Sequence, residues 1–168
     1  MNTEIFYFET QFPIDEFAVS LIDEYENKKG NANVYQIVNW PSHSQYYLLK
    51  EDIPIAQAVA DKFKELYGIE CFPRYYVLDK GYVLDVHRDA GTQVSFNYLL
   101  SDDNDPLEFF VNNNKIDLIY KKGLLNLQIP HAVPESKNIR ILLKLSIYDY
   151  SFEECKQKIL DYENSNIR

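Results

Sequence analysis

Apolar positions change their period near the middle of this chain. After Pro13 they fall at Ile14, Phe17, Ala18, Leu21, Ile22 and Tyr25. That spacing predicts a helix, with Asp15 and Glu16 in its first turn and Lys28-Lys29-Gly30 closing it. Ile5 to Phe8, ahead of it, reads as a short strand, and Val34 to Trp40 as a second, followed by a Pro41-Ser42 turn. A further helix is expected from Ile53 to Tyr67, with Ile55, Ala58, Val59, Phe63 and Leu66 on one face and Gly68 as its stop.

From Ile69 onward the helical period disappears. Short runs rich in Tyr, Phe, Val, Ile and Leu alternate with turn signals at Asp79-Lys80-Gly81, Asp89-Ala90-Gly91, Asp102 to Pro106, Asn112 to Asn114 and Lys121-Lys122-Gly123. Ile139 to Tyr148 is a strong last strand, and Phe152 to Tyr162 a closing helix. Many short strands at regular turn spacing predict two packed sheets or a barrel. The expected class is α+β, mostly β: a double-stranded β-helix, or jelly roll, with supporting N-terminal helices and a C-terminal helix. One domain of 168 residues is expected, with 1–68 as support, 69–150 as the jelly-roll core and 151–168 as the C-terminal helix.

Composition narrows the functional classes. The 14 Tyr and 10 Phe suit half-buried pleated surfaces. A net charge of −9 argues against nucleic acid and anionic membrane surfaces as partners, since both select for clustered Lys and Arg. The N-terminus lacks a basic region followed by an apolar run, and no stretch approaches the ~18 apolar residues that span a bilayer. Cys71 and Cys155 show neither metal-site nor disulfide spacing, so a reducing, cytoplasmic setting is expected, with Cys71 as a small core residue.

Candidate chemistry concentrates on three of the most sparsely used side chains. The chain has three histidines: His43, His87 and His131. His87 and Asp89 stand two apart, so on a strand they point to the same side. His131, in Gln128-Ile129-Pro130-His131-Ala132-Val133-Pro134, is the candidate for a second imidazole. Two neutral imidazoles and one carboxylate, with three positions left open, suit iron(II) and oxygen chemistry. The plainer alternative keeps His87 as a satisfied core residue and Asp89 as the start of an Asx turn. Arg140 follows His131 by nine positions (131 to 140) and opens an otherwise apolar strand. It either faces solvent or lies inside, where it needs a carboxylate partner. His43 reads as an exposed turn residue, Ser101 to Asp105 as a solvated hairpin, and Phe109-Phe110 as core or pocket wall.

Gly81 through Asp89, the strand Val94 to Leu100, Pro130-His131-Ala132-Val133-Pro134 and Arg140 together resemble the Fe(II)/2-oxoglutarate oxygenase superfamily, in its prolyl-hydroxylase-like branch. The resemblance covers residues 69 to 150. It implies that His87, Asp89 and His131 ligate iron and that Arg140 binds the distal carboxylate of 2-oxoglutarate. It offers Tyr98 as a hydrogen-bonding partner of that carboxylate, Asn97 if the strand parity is reversed, and Tyr76 as a further candidate. Position 142 is Leu where many members have the serine of Arg-x-Ser; Lys144-Leu145-Ser146 imitates that pattern, which makes Lys144 the rival of Arg140. The implied activity is a dioxygenase using Fe(II), 2-oxoglutarate and O2 to hydroxylate a small molecule or peptide. Two other readings stay open: a cupin-like metal protein without 2-oxoglutarate, and a non-catalytic jelly-roll binding module.

Overall fold

The computed structural model of this chain describes residues 3–29, 34–39, 44–49, 52–102 and 104–166, with the backbone alone described for 34–39 and 44–49. Trp40, Pro41, Ser42 and His43 lie outside the described residues.

Eight strands build the centre: β4 (Phe72–Leu78), β5 (Leu84–His87), β6 (Val94–Leu99), β7 (Leu107–Val111), β8 (Asn114–Leu118), β9 (Lys122–Asn126), β10 (His131–Val133) and β11 (Arg140–Ile147). They divide between two antiparallel sheets. The larger runs β1-β9-β6-β11-β4-β3-β2, where β1 is Tyr7–Phe8, β2 Val34–Asn39 and β3 Ser44–Leu49; the smaller runs β5-β10-β7-β8. The fold is therefore mostly β, a jelly roll with helices on one side.

Helices α1 (Ala18–Lys28), α2 (Pro54–Tyr67) and α3 (Phe152–Asn166) cover the outer face of the larger sheet. Alternation on β11 divides the two sides: Leu143, Leu145 and Ile147 join the helix-facing core, while Arg140, Leu142 and Lys144 point between the sheets. Phe12, Phe63 and Phe96 meet with ring centroids 5.1 to 5.4 Å apart, tying the N-terminal segment, α2 and β6 together. Each such ring, fully buried, contributes about 1.5–3 kcal/mol. A second core between the sheets contains Phe6, Leu78, Leu107, Phe109, Leu125 and Val133. Cys71 and Cys155 are buried free thiols, and burial pushes each up to about 12. No described helix is long and apolar enough to cross a membrane.

The turn chemistry of two segments is as expected. Gly68 takes a left-handed conformation and its N–H donates to the Lys64 carbonyl at 2.8 Å, ending α2. Asn112 and Asn113, both at positive φ, close the β7–β8 hairpin.

Elsewhere the structure corrects the pattern. Ile14 to Phe17 is a 3₁₀ turn, and α1 begins only at Ala18. Ile5 lies in a 3₁₀ turn and the first strand shrinks to two residues. β6 and β7 do not form the expected hairpin, because they belong to different sheets; Asp103 lies outside the described residues. Lys122 and Gly123 open β9 instead of a turn. A Cβ on Gly123 would stand 2.4 Å from the Tyr7 ring and 2.9 Å from the Phe8 carbonyl oxygen, so the glycine lets β1 approach.

Candidate metal centre

Strand pairing brings the two histidines together. His131 opens β10 directly opposite His87, the last residue of β5, and the ring centroids stand 4.4 Å apart. Phe109 on β7 is the other cross-strand neighbour of His131, with its ring 5.8 Å away. β5 stops at His87, so Asp89 is held by the segment beyond it. Its N–H donates to the Leu127 carbonyl at 3.3 Å, and the Gln128 amide donates to its carbonyl at 3.2 Å.

Hydrogen bonding then fixes which ring atom each imidazole presents. The Nδ1 atoms of His87 and His131 lie 2.6 and 2.9 Å from the carbonyls of Asp85 and Ile129. A carbonyl only accepts, so each Nδ1 carries the proton and donates, leaving Nε2 for other work. Both Nε2 atoms lie 3.2 Å from the same oxygen, Asp89 Oδ1. Two lone pairs and an anionic oxygen facing one another repel unless a cation lies between them or protons are taken up. The three donor atoms all fall within 4.8 Å of one another. Donors at right angles about an ion, each about 2.1 Å from it, stand about 3 Å apart, so the spacing fits a six-coordinate divalent ion. No other such group of His, Cys, Asp or Glu side chains occurs among the described residues.

Asp89 is held as the anion. Burial alone pushes its carboxyl up, but the facing imidazoles and Lys144 outweigh burial and hold it well below the usual carboxylate range. For His87, burial works against the charged form, while the Asp89 carboxylate and the Asp85 carbonyl carry it above the ordinary histidine value. Both shifts describe a cluster in which positive charge beside Oδ1 is favourable.

The ligands line a cavity of about 570 Å³ between the sheets. Leu84, Leu107, Leu125, Leu127, Val133 and Leu142 form much of its wall. Arg140 also lines it, 3% exposed, with its guanidinium donating to the Asp105 carbonyl. The buried alternative for Arg140 is therefore the observed one. Lys144 lines the same cavity, but its ammonium sits 2.5 Å from Asp89 Oδ2. Tyr76 is there too, its ring 5.1 Å beneath the Lys144 ammonium and its hydroxyl pushed up to about 12 by burial and then by Asp89.

On β6 the parity is the reverse of the first expectation. Tyr98 points into the helix-facing core, where its hydroxyl donates to Asp15 at 3.0 Å. It does not line the cavity; Asn97 does. The Asn97 amide donates to the Tyr120 hydroxyl at 3.1 Å, and its buried Oδ1 has no partner among the described residues. Tyr120 had no signal in the sequence: it lies between β8 and β9, and only the packing of the two sheets carries it to the site.

Comparison with solved structures establishes the fold. A Pseudomonas putida prolyl-4-hydroxylase superposes with a TM-score of 0.69 at 11% identity, over 86% of this chain and 93% of that one. A Trichoplax adhaerens prolyl hydroxylase, solved with a fragment of the hypoxia inducible factor oxygen degradation domain, gives 0.63 at 14% identity, over 89% and 84%. A viral collagen prolyl hydroxylase from Paramecium Bursaria Chlorella virus-1, solved as a 2-oxoglutarate complex, gives 0.54 at 13%, over 84% and 95%. At the level of sequence, no family model and no curated protein matches the chain. The chain has the prolyl-hydroxylase-like fold of the 2-oxoglutarate oxygenases.

Proposed function

We propose that this protein is a non-haem Fe(II)/2-oxoglutarate-dependent dioxygenase that hydroxylates a small molecule or a peptide. The observation that carries the reading is the convergence of two Nε2 atoms on one carboxylate oxygen, with each opposite Nδ1 already donating to a backbone carbonyl. Neutral imidazoles and a carboxylate in that arrangement match the donor set that iron(II) oxygenases use, with positions left over for cosubstrate and oxygen. When bound, iron(II) with 2-oxoglutarate and O2 supplies oxidative decarboxylation of the keto acid to succinate, coupled to oxygen insertion into an unactivated C–H bond.

The chain's own side chains divide the remaining work. His87, Asp89 and His131 bind the metal. Arg140 is the clamp for the distal carboxylate of 2-oxoglutarate, because its planar guanidinium is buried in the cavity wall while the ammonium of Lys144 is committed to Asp89. Asn97 and Tyr120 supply polar contacts on the same wall, and Tyr98 has no part in them. The leucines of the wall exclude water from the reacting groups. A peptide substrate has support from the Trichoplax neighbour, whose structure holds a peptide fragment. We further read the chain as one domain working in the cytoplasm.

Replacing His87, Asp89 or His131 singly by Ala is expected to abolish iron-dependent turnover of 2-oxoglutarate. Anaerobic addition of iron(II) and then 2-oxoglutarate to the unaltered protein should produce a weak visible charge-transfer band. Turnover that survives a substitution removes that residue from the ligand set. A protein that binds metal without the band is a cupin-like protein instead.

A further inference from the structure

The two oxygens of Asp89 face different neighbours. Oδ1 meets the imidazoles, and Oδ2 lies 2.5 Å from the Lys144 ammonium. The lysine belongs to β11 in the larger sheet, while both histidines belong to the smaller one. Asp89 therefore bridges the sheets across the cavity. Lys144 is not a surface residue that happens to reach inward: its side chain is 12% exposed, it lies over the Tyr76 ring, and β6 pairs Asn97 directly beside it.

We propose that Lys144 is a positioning residue that holds Asp89 as a one-oxygen metal ligand, an inference that rests on the metal reading above. A carboxylate with both oxygens free can rotate and take two positions on an ion. One whose outer oxygen is locked in a charge-assisted hydrogen bond offers only the inner oxygen. Lys144 thus keeps a further coordination position open, and it fixes the rotamer that aims Oδ1 at the imidazoles. Partners that orient a ligand in this way typically contribute about 10–100-fold in metal affinity. The ammonium also repels a dication, an effect of opposite sign, so the direction of change in a lysine variant separates positioning from repulsion.

The test is a titration of the full chain with Mn(II), with free ion read by electron paramagnetic resonance, followed by 2-oxoglutarate at saturating Mn(II). Lys144→Met is expected to weaken Mn(II) binding about tenfold or more. Lys144→Arg, which retains donors and charge, should recover most of that loss. Lys144→Gln, a neutral donor, should fall between, and it replaces the Met variant if melting curves show that Met does not fold. Mn(II) affinity unchanged or tightened in Lys144→Met overturns the proposal. So does a variant that binds Mn(II) normally and loses only 2-oxoglutarate, since Lys144 is then the cosubstrate clamp. Failure of the unaltered protein to bind Mn(II) removes the metal reading itself and this inference with it.

Discussion

Arg140 and Tyr98 show how far single positions could be read before the fold was known. Both were candidates for one carboxylate, and the structure separates them by the face each occupies. Arg140 shares the cavity side of β11 with Leu142 and Lys144, and Tyr98 packs on the opposite face of the larger sheet, its hydroxyl donating to the exposed Asp15. Arg140→Ala is expected to raise the dissociation constant for 2-oxoglutarate roughly 10–100-fold, the equivalent of a hydrogen-bonded ion pair worth ~1.5–3 kcal/mol. Tyr98→Phe should leave that constant within about twofold of the parent. Calorimetric titration of both variants in the presence of Mn(II) reads the difference, and a reversed outcome reassigns the clamp. The triad was legible because His87 and His131 are the chain's only histidines on strands of its β-rich half, and Asp89 stands two from the first. The parity of β6 was not. Ser95 and Asn97 do alternate with Val94, Phe96 and Tyr98, but all six residues from Val94 to Leu99 are buried, so the alternation did not say which covered face holds the cavity.

The longer elements were read more successfully than the groups that fasten them. Periodicity located α2 and its glycine stop, but not what satisfies its first turn, since Ile53 at the N-cap offers no side-chain acceptor. Glu24, a buried residue of α1, performs that task from a distance. Its carboxylate accepts from the N–H groups of Ile55 at 2.7 Å and Ala56 at 3.0 Å, and from the Tyr75 hydroxyl on β4 at 2.8 Å. One anion thus joins α1, α2 and the larger sheet, and it sits where the helix dipole favours negative charge. A glutamate at that place in an amphipathic pattern reads as a solvent-facing residue, because nothing local announces partners more than thirty positions away. Glu24→Ala leaves the two N–H donors of α2 without that acceptor, while the Tyr75 hydroxyl keeps the Leu21 carbonyl at 3.2 Å, and is expected to cost roughly 3 kcal/mol. For a chain of this length that is about 6–12 °C in melting temperature. Glu24→Gln should lose less, since its amide oxygen still accepts. A melting temperature within about 2 °C of the parent for the Ala variant would sink the capping argument. The passage of the chain from β6 to β7 departs from expectation for a related reason: a turn composition marks a reversal but not whether the next strand stays in the same sheet.

Across the assembled molecule, the candidate metal sits where local pairing is sparse. β5 is a four-residue edge strand, and β10 has three residues with a register shift between His131 and Val133. The opposite sheet is fastened by the eight-residue β11 and by three helices. An ion held by His87, Asp89 and His131 would cross-link β5, the segment after it and β10, which gives the metal reading a mechanical consequence apart from catalysis. By mass action, free Mn(II) at one hundred times its dissociation constant adds about 2.7 kcal/mol to folding stability, or roughly 5–10 °C in melting temperature. Hydrogen exchange should slow in residues 84–91 and 126–133, and far less in α2, whose partners lie behind the other sheet. The net charge of −9 supplies the competing explanation, since an acidic surface attracts divalent ions without a site. His131→Ala separates the two, because it removes one neutral ligand and leaves every acidic side chain in place. Stabilisation by Mn(II) that disappears in this variant belongs to the triad. Stabilisation that persists, with exchange slowed over the whole surface, belongs to the charge, and the paired histidines then hold no ion.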